Sequence, residues 1–298
     1  MLAWLLRAML AAEVLGAVWL RLSIFAEGGV AATIGCAVGV LVGVPSLLLA
    51  AAYAIAAANA SPRPAGVAAT TVRDGLVEWA WFLAGFGAIM PFPRAWMGSE
   101  AIGRLPAGRR PVLLVHGYMC NGAFWWWMRR RLRARGFAVA TVDLEGPFAD
   151  IEDLAAGLDA RIDALLAETG SDRVLLVTHS MGGLVARASM RARGTGRIAR
   201  FVTLGGPHHG TVSARLGLGR NARQMEPGNP WLAELNRVET TDVPTLTIWS
   251  CGDEIVAPQA TSRLAGADET VLGGFGHMAM AFSTRVEALV AADLARDR

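Results

Sequence analysis

From Gly28 to Pro62 the chain carries no charged side chain. A helix needs about 20 apolar residues to cross the roughly 30 Å hydrocarbon layer of a bilayer. Residues 31–58 exceed that length, and their single proline, Pro45, is tolerated in a lipid-embedded helix. The run therefore predicts a transmembrane helix over 31–58. The residues before it, 2–25, are also apolar but carry Arg7, Glu13 and Arg21. They read either as a first spanning helix paired with the second or as an amphipathic helix in the membrane interface. A cleavable signal peptide fits less well, because charges interrupt its apolar core and a second long apolar segment follows. An apolar content of 53% over 298 residues agrees with membrane segments.

Charge says little about partners. All 28 basic residues are arginine, and a net charge of +3 is too small to argue for nucleic acid. Five arginines crowd positions 129, 130, 131, 133 and 135, which reads as a solvated helix face or as a contact for anionic lipid headgroups. The three cysteines, Cys36, Cys120 and Cys251, are odd in number and fit no metal spacing. A Cys120–Cys251 bridge is allowed but not indicated.

Three regions follow. Residues 1–62 form an N-terminal membrane region of one or two transmembrane helices. Residues 63–109, entered through the Ser-Pro-Arg-Pro stretch 61–64, read as a linker or interfacial segment. Within and beside it Trp79, Trp81, Phe82, Phe92 and Trp96 suit either a membrane-interface belt or a helix packed on the next domain. From 110 to 298 short apolar strands alternate with helical segments. That alternation predicts an α/β fold, a doubly wound and mostly parallel sheet covered on both faces.

In such sheets chemistry gathers at the carboxyl ends of the strands. One predicted strand ends in His116-Gly117-Tyr118, another runs into Thr178-His179-Ser180-Met181-Gly182-Gly183, a third leads to Asp253-Glu254, and a fourth to Gly276-His277. A serine becomes a nucleophile only beside a base that an acid orients. Ser180, Asp253 and His277 occur in the order described for hydrolases whose serine sits on a strand-to-helix turn. Threonine replaces the usual small residue at 178, which is acceptable if its neighbour is small. His179 adjoins the nucleophile too closely to serve it. His208 and His209 lack a carboxylate partner, so no metal and no cofactor are expected.

The segments VLLVHGYMCNGAFW (112–125), VTHSMGGLVAR (177–187), TLGGPHHGT (203–211), GDEIV (252–256) and GHMAM (276–280) resemble the bacterial lipases and esterases of the α/β-hydrolase superfamily. The resemblance covers about residues 110–298. It implies the α/β-hydrolase fold, Ser180 as nucleophile, His277 as general base, Asp253 as its partner, and the backbone N–H groups of Tyr118 and Met181 as the oxyanion hole. Residues 207–243 lack a clear strand and suit a lid. The expected activity is cleavage of carboxylic esters, lipid-derived ones above all, by a membrane-anchored serine hydrolase with an acyl-enzyme intermediate. Acyl transfer, thioester or amide cleavage by the same residues, and a non-catalytic binding module, are the alternatives. Two spanning helices would return the chain to its starting side. Arg7, Arg63 and Arg73 favour the cytoplasmic face of a bacterial inner membrane, and Arg21 opposes it. Oligomeric state is not legible.

Overall fold

The computed structural model describes residues 1–24, 29–98, 101–237 and 242–297. Six strands form one sheet: β1 (Val112–Val115), β2 (Val139–Val142), β3 (Val174–His179), β4 (Ile198–Leu204), β5 (Thr245–Ser250) and β6 (Asp268–Leu272). Their order is β2-β1-β3-β4-β5-β6, and every neighbouring pair is parallel. The doubly wound parallel sheet expected from the sequence is present. Side chains alternate between two cores, as a pleated strand requires. Val112 and Leu114 enter one core, and Leu113 and Val115 the other. Helices α5 (Trp126–Ala134) and α10 (Thr284–Leu294) cover the first face. Helices α6 (Ile151–Thr169) and α7 (Gly182–Arg193) cover the second.

The arginine run is only partly solvated. Arg129 is buried, and its guanidinium donates to the Met97 carbonyl. Arg133 donates to the Val139 carbonyl, and Arg135 pairs with buried Glu287 at 2.5 and 3.1 Å. Arg131 joins the same carboxylate at 3.7 Å. These contacts tie α5 to α10 and β2, while Arg130, Arg131 and Arg135 remain exposed. The three cysteines are free.

Two N-terminal helices, α1 (Leu2–Ile24) and α2 (Val30–Ala58), lie side by side. Both are long and apolar enough to cross a membrane by length and composition. They are not separate from the α/β domain. Leu2 and Leu6 of α1 are buried in its first core. After α2, Ser61 donates its N–H to Gln259 and its hydroxyl accepts from Ala260 N–H.

Residues 63–98 lie on the α/β domain rather than spacing it from the helices. Helix α3 (Val72–Ala84) starts at a capping box between Thr71 and Asp74. It runs into a π-helical turn, Gly85–Ile89, and a short helix α4 (Pro93–Met97). Three of the five aromatic residues named for a belt or a packed helix make protein contacts, while Phe92 and Trp96 are also exposed. Trp81 stacks on Phe282 with centroids 4.2 Å apart, Trp79 donates to Ser46 of α2, and Trp96 packs on Trp126. The deepest contact is Glu78, whose carboxylate is buried and accepts the N–H groups of Met278 (2.8 Å) and Ala279 (2.7 Å). A Cβ at Gly276 would lie 2.4 Å from Glu78 Oε2, and one at Gly273 would lie 2.2 Å from the Ala68 carbonyl. Glycine is thus required wherever this segment crosses the β6–α10 loop.

Leaving two buried N–H groups unsatisfied costs about 1–3 kcal/mol each. Glu78→Ala is expected to lower stability by roughly 2–6 kcal/mol on that basis, with Glu78→Gln intermediate, in denaturant unfolding of the full chain in detergent. Unchanged unfolding of the alanine variant would show that the two hydrogen bonds contribute nothing.

Candidate active site

Ser180 occupies the turn between β3 and α7 with φ of 55°, a left-handed conformation that non-glycine residues adopt at a cost of about 1–3 kcal/mol. The turn is held by hydrogen bonds from Ser180 N–H to the Leu204 carbonyl and from Gly183 N–H to the Ser180 carbonyl, both 2.9 Å. Its neighbours explain its composition. A Cβ at Gly182 would come within 2.7 Å of the carbonyl oxygens of Val115 and His116, and one at Gly117 within 2.7 Å of Ser180 Cβ. The β1 and β3 turns therefore touch through two glycines. Thr178 is accommodated because its hydroxyl turns to the Val202 carbonyl of β4, 3.3 Å away.

Asp253 and His277 meet although they come from different loops. Asp253 Oδ2 accepts His277 Nδ1–H at 2.8 Å, while Oδ1 accepts the N–H groups of Ile255 and Val256. Both side chains are buried. Burial alone would lower the imidazole pKa, but the charge and hydrogen bond of Asp253, with a contribution from Glu78, raise it above its ordinary value. His277 and Ser180 line the same cavity. No hydrogen bond joins them among the described residues, so the serine hydroxyl and the second ring nitrogen are left for a substrate to bring together. Such contacts are often long in unliganded sites and tighten in the reacting complex.

The other histidines have settled duties. His116 Nε2 accepts the Leu144 N–H, so Nδ1 carries the proton and donates to the Gly117 carbonyl. That fixes the turn after β1. His179 donates from Nε2 to the His277 carbonyl at 3.0 Å and packs against the His277 ring. Burial holds its pKa well below the ordinary imidazole range, so it is neutral and has no path to the serine. His208, also buried and neutral, shares a hydrogen bond with Thr203, while His209 approaches the Asn236 amide. Among the described residues no group of three or more His, Cys, Asp or Glu could hold a metal ion.

Neither Tyr118 N–H nor Met181 N–H donates in any turn, loop or cap hydrogen bond of the described residues. The turn carrying Tyr118 is itself strained at Met119, φ 53°. Tyr118 also anchors the segment beyond β4, since its hydroxyl donates to the Leu218 carbonyl and accepts the Leu218 N–H, each at 2.9 Å.

Sequence reasoning missed Glu78 and undervalued Glu254. Glu254 Oε2 accepts the His277 N–H at 3.1 Å, so two carboxyl groups hold three consecutive N–H groups, 277–279. Burial raises the pKa of both acids, and repulsion from Glu78 and Asp253 raises that of Glu254 further. Like charges this close do not all ionise in a dry site. Burial and the neighbouring carboxylates thus favour the neutral form of Glu254. A glutamate on an amphipathic helix ordinarily reads as a surface residue. The only sequence signal was its place amid tryptophan and phenylalanine.

The region expected as a lid packs beside the cavity through the Tyr118–Leu218 hydrogen bonds. Residues 207–243 contribute a 3₁₀ turn (Val212–Leu216) and two short helices, α8 (Gly219–Gln224) and α9 (Pro230–Leu235), and none of its described residues lines the cavity. Positions 238–241 lie outside the described residues.

Comparison with known proteins agrees with this architecture. A model of the alpha/beta hydrolase family matches residues 112–295. A triacylglycerol lipase of Pseudarthrobacter phenanthrenivorans is 34% identical over 116 residues, covering 36% of this chain and 36% of that protein. One of Burkholderia plantarii is 34% identical over 116 residues, covering 36% of this chain and 32% of that protein. The chain thus spans about a third of the length of the curated relatives it matches. Among solved structures, Bacillus licheniformis lipase BlEst2 in its propeptide form superposes with a TM-score of 0.55 at 18% identity, covering 64% of this chain and 52% of that one. Its mature form gives 0.52 at 19% identity, covering 59% and 88%. At these identities the structures speak to the fold. With the family match spanning well over half of its residues, the chain belongs to the alpha/beta hydrolase family.

Proposed function

We propose that the protein is a membrane-anchored serine hydrolase of carboxylic esters, with Ser180, His277 and Asp253 as its catalytic triad. The observation that carries the reading is the buried Asp253–His277 hydrogen bond of 2.8 Å on the wall of the cavity that Ser180 lines from a strained turn. Ser180 Oγ attacks the ester carbonyl while His277 takes its proton. Asp253 keeps the Nδ1–H tautomer and stabilises the imidazolium that forms. The negative oxygen rests on the N–H groups of Tyr118 and Met181, each such donor typically worth about 100- to 1000-fold in rate. The proton then goes from His277 to the departing alcohol, and water repeats the sequence to free the acid. The triacylglycerol lipases among the relatives favour ester substrates.

The hairpin of α1 and α2 is the anchor in this reading. Both of its outer ends meet the α/β domain, through Leu2 and Leu6 at one end and Ser61 at the other. The amino terminus and the hydrolase therefore share one side of the membrane, and Arg7, Arg63 and Arg73 favour the cytoplasm. Residues 110–298 are expected to resist protease added to intact bacterial spheroplasts; digestion from outside would reverse the orientation.

Ser180→Ala is expected to lower p-nitrophenyl butyrate turnover by at least about 1000-fold and to abolish fluorophosphonate labelling. Activity persisting in this variant would remove Ser180 from the mechanism. His277 acts only when unprotonated, and its pKa lies above the ordinary 6.5. The acidic limb of kcat/KM should accordingly have its midpoint above pH 6.5. The titratable groups around the ring are Asp253, Glu78, Glu254 and His179. Asp253→Asn removes the largest raising influence and leaves burial. The midpoint should then move to lower pH while the plateau falls by roughly 1000- to 10 000-fold. A midpoint that did not move would mean that Asp253 does not set the base.

A further inference from the structure

We propose that α1 and α2 build the acyl-chain site of the hydrolase and that this site opens into lipid rather than water. The substrate class is an ester whose acyl chain already lies in the membrane leaflet next to the α/β domain. The inference rests on the reading of Ser180 as nucleophile given above.

The cavity in front of Ser180 has a volume of about 380 Å³, within the usual range of roughly 300–1,000 Å³ for small-molecule sites. Its inner end is Gly117, Ser180 and His277. Much of its wall belongs to neither the sheet nor the covering helices of the α/β domain. Leu6 and Leu10 of α1, Leu41 and Pro45 of α2, and Phe86 of the π-helical turn enclose it. Little there matches a polar substrate, whereas a hydrocarbon chain fits throughout.

The mouth is identifiable from residues that both line the cavity and remain open. Met9 is 47% exposed, Val44 41% and Leu48 61%. Leu15, Trp19, Ile34 and Leu47 on the same two helices are exposed as well. Exposed apolar surface on this scale marks contact with a membrane or a partner, and helices of spanning length select the membrane.

Helix length then sets the depth. Beyond the cavity, α1 continues over residues 14–24 and α2 begins over residues 30–40, each about 16 Å at 1.5 Å per residue. The hydrocarbon layer is about 30 Å thick. A hairpin that crosses it must draw its cavity-lining half, including Met9 and Val44, below the near headgroups. A hairpin lying in the interface would immerse the same mouth from the side. Glu13, midway along α1, also lines the cavity instead of facing outward, as acids within membrane segments generally do. The ester would be drawn in chain-first along the helices, with its carbonyl arriving at Ser180 without crossing water.

The test uses the full chain in phosphatidylcholine liposomes and p-nitrophenyl alkylphosphonates bearing ethyl or dodecyl chains. These label an active serine with release of p-nitrophenol. The dodecyl probe is expected to label Ser180 at least ten times faster than the ethyl probe, and a Met9→Trp/Leu48→Trp double variant to bring the two rates within about twofold. Because both positions are substantially exposed, the variant should fold, and labelling by the ethyl probe verifies that its site is intact. Equal rates for the two probes, or a dodecyl preference that survives in the double variant, would overturn the proposal. Absence of labelling by either probe would instead reject Ser180 as nucleophile. Separately, a nitroxide on Leu48→Cys, with Cys36 and Cys251 replaced by serine, should be relaxed by oxygen and shielded from an aqueous nickel chelate. Preferential relaxation by nickel would place the mouth in water and overturn the lipid opening.

Discussion

Everything around the candidate nucleophile depends on how the loop carrying His277 is held. An imidazole that must exchange protons cannot drift by much more than half an ångström and remain effective. Here the ring is fixed at one nitrogen by Asp253, and the backbone around it is fixed by three side chains from three places. Glu254 takes its N–H, the next two N–H groups go to Glu78, and His179 donates to its carbonyl. Three acids packed about one histidine would repel one another if all were charged. Burial and that repulsion raise the pKa of Glu254 well above the ordinary carboxyl range, which eases the conflict.

The same contact joins two parts of the chain that composition separates. Residues 68–78 lie against Gly273 and Gly276 so closely that no side chain fits between them. The α/β-hydrolase scaffold supplies strand ends, turns and the acid–histidine pair. The N-terminal third supplies Glu78 from behind and the apolar wall in front. The site is therefore assembled from both sides of position 110, although the family match begins at 112.

This division explains what could be read from residues alone. Five of the six parallel strands were legible because each holds a short apolar stretch closed by glycine or polar residues; β6 opens with Asp268, Glu269 and Thr270 and was only faintly marked. The chain order of Ser180, Asp253 and His277 was legible because strand-to-helix turns and nucleophilic chemistry restrict residue type within a few positions. Glu78 was not legible, since its meaning comes from N–H groups 200 residues away. Nor was the fate of the arginines at 129–135, because Glu287 and the carbonyls of Met97 and Val139 reach them only through the fold. The cavity wall escaped for a related reason. Apolar helices advertise burial in some nonpolar medium, and nothing in their own residues says that one face will wall a cavity against the α/β domain.

Residues 61–78 bear on how such a chain can change over evolution. A tether that merely holds a domain near a bilayer can be exchanged for another tether with little effect on the domain. Here exchange would strip two neighbouring amides of their acceptor, uncover the tight crossing at Gly273, and remove residues that wall the cavity in front of the serine. The N-terminal third and the α/β domain are bound to vary together, and a descendant without α1 and α2 would have to rebuild the far wall of that cavity.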